Sequence, residues 1–265
     1  MISITTAELN TLLAAFLWPL SRILALVATA PIFGNPSTPI RVKLGLAIAI
    51  TILVMPLVEK SLPPVDPASG VGLIILMQQA LIGIAIGFVM RVVFVAVEMA
   101  GELIGLQMGL GFAIFFDPHS SGQIDIVGRF LGVIASLAFL AIDGHLMMIA
   151  LISQSFDTLP VGLEGTTNAT LTTLANWGSE IFKSGLQLSL PVLTALLITN
   201  LALGVLTRVA PQLNIFAVGF PLTLSIGLFV LALSMPFYAP ILEHLVHDGL
   251  NLMMGILNVN KINMP

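Results

Sequence analysis

Between Lys183 and Arg208 the chain carries no charged residue, and that stretch holds nine Leu, one Ile and two Val. At about −0.3 to −0.6 kcal/mol each, these twelve contribute on the order of −4 to −7 kcal/mol towards bilayer insertion, enough to outweigh Pro191 and Asn200. A second charge-free stretch, Val209 to Leu242, exceeds the ~20 residues that cross hydrocarbon. Pro211, Pro221, Pro236 and Pro240 punctuate it, so a helix pair or a broken helix is expected there instead of one rod. Only 8 % of the 265 residues are charged and 57 % are hydrophobic, against roughly 25 % charged in soluble domains. The chain reads as an all-α integral membrane protein.

Six hydrophobic segments fit, at about 11–33, 40–58, 71–97, 129–152, 184–207 and 212–242. Pro19 and Arg22 are expected to break the first, and Pro31, Pro36 and Pro39 forbid regular helix before Arg41. The second, from Leu44 to Val58, gives about 22 Å of helix against a core of about 30 Å. Arg91 lies towards the end of the third, and Asp143 and His145 lie inside the fourth, where a charge costs about 2.5 to 3.5 kcal/mol. Short, Pro/Gly-broken and charge-bearing helices need protein neighbours, because lipid offers no partner to freed backbone or charge. An obligate subunit of a hetero-oligomer is therefore expected. Ser153 to Glu180 reads as the one sizeable polar loop. MISITTAELN has no basic stretch and carries Glu8, so no cleavable signal peptide is expected. With the N-terminus outside, Arg41, Lys43, Arg129 and Arg208 lie inside against Lys60, Lys183 and Lys261 outside, a bias of a single residue.

The stretch from Glu98 to Asp125 concentrates glycines, acids and a breaking proline. Gly101, Gly105 and Gly109 recur every four residues and form a helix-packing stripe. Gly109 and Gly111 loosen the helix end, Phe112, Ile114, Phe115 and Phe116 follow, and Asp117-Pro118 stops the run. His119, Ser120, Ser121 and Gln123 make the far side polar, a composition that suits a plug. Met108, Phe112, Phe115 and Phe116 can form a soft seal that repacks around a passing chain, although such residues more often fill cores.

Other polar residues carry structural and chemical readings side by side. Glu98 and Glu102, four apart, could be paired carboxylates, and a polar rim or subunit contact fits better. Asp143 and His145 could serve a proton path or a structural contact, and the structural reading is preferred. Arg22, Arg91 and Arg129 read as buried pair partners or interfacial snorkels. Glu243, His244, His247 and Asp248 lack the H-E-x-x-H spacing of a zinc helix, so neither metal nor cofactor is expected. Nine Lys and Arg and a net charge of −4 give no basic patch for nucleic acid. The absence of cysteine excludes disulfides and thiolate metal sites. A secondary transporter would need matched repeats, of which ATAPIFG and RVAPQLNIF are a faint echo. An intramembrane hydrolase would need a nucleophile motif such as G-x-S-x-G, which does not occur.

Four pieces in order, APIFGNPSTPIRVKLGLAIAI, GELIGLQMGLGFAIFFDP, FLAIDGHLMMIALISQSFDTLPVG and APQLNIFAVGFPLTLSIGL, together resemble the FliR family of bacterial flagellar biosynthesis proteins and its injectisome counterparts. The resemblance implies a non-enzymatic export-gate subunit of a type III secretion apparatus in the bacterial inner membrane, at the flagellar basal body. It also implies P-type and Q-type subunits as partners, with the large export-gate and B-type subunits nearby and unfolded proteins in transit. By position, residues 1–182 would be P-type-like with a plug at Gly109 to Pro118. Residues 183–265 would be a Q-type-like hairpin, to Leu242, and a tail.

Overall fold

The structure, a computed structural model, describes residues 6–59, 62–112, 126–163, 168–212 and 214–262. Among these residues every regular element is helical: α1 (Thr6–Thr29), α2 (Ile40–Val58), α3 (Gly70–Gln107), a 3₁₀ turn (Leu110–Phe112), α4 (Ile126–Ala141), α5 (Gly144–Thr158), α6 (Asn168–Trp177), α7 (Glu180–Val209) and α8 (Ile215–Ile262). Within them five helices are long and apolar enough to cross a membrane, or six if α4 and α5 count as one broken span. The all-α membrane architecture is thus the observed one.

Proline breaks fewer helices than its count implies. Helix α1 runs through Pro19, α7 through Pro191, and α8 is continuous for 48 residues through Pro221, Pro236 and Pro240. The expected breaks in the first and last segments are absent for an energetic reason. A break would free up to four N–H and four C=O groups at its two new ends, whereas each proline withholds a single N–H. Helix α2 fills the expected 40–58 segment, starting directly after Pro39 and so longer than the fifteen residues from Leu44 to Val58, and Lys43 Nζ donates back to the Gly34 carbonyl at 3.0 Å. Ser153 to Glu180 is not one loop: it holds the end of α5 and all of α6. In α6 the Thr172 and Thr173 hydroxyls donate to Asn168 and Ala169 carbonyls at 2.9 Å, returning side-chain polarity to their own helix.

The chain forms two compact units, each discontinuous in sequence. One comprises Met1–Val92, Asp143–Gly178 and Val246–Pro265. Within it α1 runs parallel to the first half of α3. Trp18 Nε1 donates to the Gly72 carbonyl at 3.3 Å and Ser21 Oγ to that of Leu76 at 3.0 Å. Further along, a Cβ placed on Gly83 would strike the Arg22 carbonyl, and one on Gly87 would strike Thr29. These two glycines, one turn apart, let the helix backbones touch. Around the seam lie Trp18, Ile23, Leu26, Ile75, Ile82 and Ile86, all buried.

The other unit comprises Val93–Ile142 and Ser179–Leu245. Here α4 runs antiparallel to the second half of α3: Gly128 backbone lies against Gly101, and Phe94 and Phe139 meet edge to face at 5.5 Å. From α7, Gly185 lies against the Ala96 carbonyl and Met99. Tyr238 of α8 donates to the Leu188 carbonyl at 3.0 Å. The expected glycine stripe therefore has three different members. Gly101 is a true backbone contact, Gly105 meets Val127 at ordinary van der Waals distance, and Gly109, with φ 88°, ends the helix.

Gly83→Val should destabilise the chain by about 1–3 kcal/mol, because overpacking at a backbone contact forces the helices apart. Gly45→Val, where an added Cβ meets no atom within 4 Å, should leave stability unchanged. Thermal unfolding of both variants in the same detergent measures the difference.

Candidate functional site

The sequence places its plug at the end of α3, and the structure shows how that end is built. The helix closes with Met108 N donating to the Ile104 carbonyl at 2.9 Å and Gly109 N to that of Leu106 at 3.0 Å. Gly109 adopts a left-handed conformation that a residue with a side chain enters at a cost, the usual role of glycine after a helix. The 3₁₀ turn Leu110–Phe112 follows.

Met108, one of the expected seal residues, packs inside the chain. It is fully buried, its carbonyl accepts from Thr223 Oγ1 at 3.1 Å, and its thioether lies over Gly227. Methionine here fills the hollow left by a glycine on α8, so it anchors the base of the turn. Gly111 is half-buried and meets Leu106. Phe112 is described by its backbone alone, and Ile114, Phe115, Phe116, Asp117 and Pro118 lie outside the described residues.

The ionic residues expected to be buried are mostly at the chain's own surface. Arg91, Arg129, Glu102 and Asp143 are exposed, and Glu98 and His145 are half-buried. Glu98 is on the side of α3 that meets α4, its carboxylate beside Gly132, while Glu102, four residues on, is exposed. Asp143 breaks the fourth segment: it is the only non-glycine residue with positive φ among those described, at 56°, and it precedes α5. His145 Nδ1 is buried without a hydrogen-bond partner. Among the described residues no three His, Asp or Glu side chains lie close enough to hold a metal.

The charge that the fold does bury is Arg22, at 0 % exposure. Its Nε donates to Gln79 Oε1 at 2.8 Å. Nη1 reaches both the carbonyl and Oγ of Ser155 at 2.9 Å, and Nη2 the Leu159 carbonyl at 2.9 Å. The Phe156 ring lies 4.1 Å below the guanidinium carbon. Each of these partners is neutral, so the pair-partner reading of Arg22 is replaced by a cage of dipoles and a π face. Beside it, Gln78 Nε2 donates to the Leu163 carbonyl at 3.0 Å. The sequence signal that was missed is the Gln78-Gln79 pair within an apolar helix, polar side chains that lipid would not satisfy.

Residues 13–249 match the family described as Bacterial export proteins, family 1. The chain is 46 % identical over 257 residues to the flagellar biosynthetic protein FliR of Pectobacterium carotovorum subsp. carotovorum, covering 97 % of this chain and 98 % of that one. It is equally similar, 46 % over 258 residues with 97 % and 98 % covered, to the protein of that name from Escherichia coli (strain K12). The Aquifex aeolicus (strain VF5) counterpart is 34 % identical over 216 residues, covering 81 % and 83 %.

Gly227→Leu should displace Met108 and loosen the end of α3, at a cost of about 1–3 kcal/mol. Pairing it with Met108→Ala should recover part of that loss, a coupling that a double-mutant cycle on thermal stability measures.

Proposed function

The chain belongs to the FliR family of bacterial flagellar export proteins, and on that footing we propose that it is a non-enzymatic subunit of the flagellar type III export gate. It packs with P-type and Q-type subunits, alongside the large export-gate and B-type subunits, in the bacterial inner membrane. Together they form the channel through which unfolded flagellar proteins pass. Residues 1–182 act as the P-type-like part, Lys183 to Leu242 as the Q-type-like hairpin, and Gly109 to Pro118 as the plug of the closed channel.

The observation that carries this reading is helix length. Helix α3, with 38 residues, is about 57 Å long. Helix α8, with 48, is about 72 Å. Hydrocarbon covers about 30 Å, and a tilt of about 40° still leaves roughly 44 Å of α3 along the membrane normal. Lipid therefore cannot cover such helices from end to end. In the most apolar window of the span that ends at Val209, only 17 % of residues are buried within the chain, against 61 % for α3. Leu201, Val209, Phe229 and Phe237 are among the large side chains left open. Past the hydrocarbon α3 carries Arg91, Glu98 and Glu102 and α8 carries Glu243, His244, His247 and Asp248, and the apolar surface that these long helices leave open finds its cover in other proteins.

Gentle detergent extraction of the tagged chain should yield an assembly containing other export-gate membrane proteins, as mass measurement and companion identification would report. A stable monomer on its own would overturn the reading. Deleting Gly111 to Phe116 should raise the ion conductance of membranes holding the complete gate, and unchanged conductance would remove the plug assignment. Asp143→Asn should keep full export of flagellar proteins into the medium, whereas loss of export would reinstate a proton role for that carboxylate.

A further inference from the structure

We propose that Arg22 is a positioning residue that holds the carboxyl end of α5 in place, its charge balanced by that helix end. The acceptors identify the role. Two of its four hydrogen bonds go to the carbonyls of Ser155 and Leu159, at and just beyond the last turn of α5, which ends at Thr158. The Ser155 carbonyl also accepts from Leu159 N at 2.9 Å, so Arg22 uses its second lone pair, and the negative pole of the macrodipole favours a cation at this helix end. Phe156, from the same turn, stacks on the guanidinium. Asp143 stands at the other end of α5 as its N-cap residue, without a side-chain cap hydrogen bond, so Arg22 is the side chain that anchors this helix by an end. Beyond the helix the backbone leaves regular structure at Leu159 and is pinned again by Gln78 at Leu163. Irregular backbone beside apolar helices persists where protein donors satisfy it, and α1 and α3 supply those donors. The inference is independent of the gate reading.

The chain has no cysteine, so single cysteines report position directly. Leu159→Cys places one in a buried position beside the Arg22 contact, and Leu188→Cys places a control in the core of the other unit, each residue 3 % exposed. Labelling by a water-soluble maleimide is followed on the full chain in gentle detergent. Arg22→Met, which keeps bulk and removes charge, should raise the labelling rate at 159 by at least about tenfold and leave 188 within about twofold. Arg22→Lys, which returns a cation to the helix end, should hold the rate at 159 within about threefold of the parent. Gln79→Leu, a milder change that leaves the helix end intact, should do the same and carries the test if the Met variant is not recovered. The proposal is overturned if the Met variant stays protected, if Lys exposes 159 as much as Met does, if Gln79→Leu alone exposes it, or if both reporters open together.

Discussion

Close backbone approach to α3 is the constraint on which both units depend. Between helices in an apolar environment the hydrophobic effect offers no net drive, so steric fit and interhelical hydrogen bonds decide which surfaces meet. Glycine supplies the fit on α3 itself, at Gly83 and Gly87 against α1 and at Gly101 against Gly128. It supplies the fit again from the neighbours, where Gly185 and Gly227 receive Met99 and Met108. Each contact places a backbone or a flexible thioether where any larger residue would stand. The register of the helices follows from these few positions.

Polar side chains finish what the glycines begin. Trp18, Trp177, Arg22, Gln78, Thr223 and Tyr238 all donate to backbone carbonyls of elements far away in sequence. A carbonyl already bonded within its helix has a second lone pair to offer, which makes it the most abundant acceptor where water is scarce. An indole, phenol or guanidinium thus enters an apolar core without an acid opposite. Arg22 shows the limit of the pattern, a full charge dispersed over carbonyls, a hydroxyl, an amide and an aromatic face.

Much of the helical order was legible along the chain because apolar length and missing charge are local properties. The end of α3 at Gly109 was legible too, since a left-handed turn asks for glycine whatever surrounds it. The prolines misled, because a proline's local cost is fixed while the cost of breaking the helix depends on what would satisfy the new ends. Ser153 to Glu180 misled for the opposite reason: its polar residues bond to their own backbone, as Thr172 and Thr173 do, and helices persist within a stretch that reads as loop. The packing of Met108 was not legible from its neighbours in sequence. Its place in the core is set by Gly227, more than a hundred residues away.

The sequence by itself determined that this chain is helical, membrane-embedded, free of thiol chemistry and rich in helices that need company, because composition and spacing fix solvent preference and local conformation. Its resemblance to export proteins was also carried by ordered local motifs. What only the tertiary structure decided is which residues become partners. The glycines that touch backbone, the arginine that is buried and the methionine that anchors a turn were chosen by helix register. Register is a property of pairs of distant segments, and no single stretch of the chain encodes it.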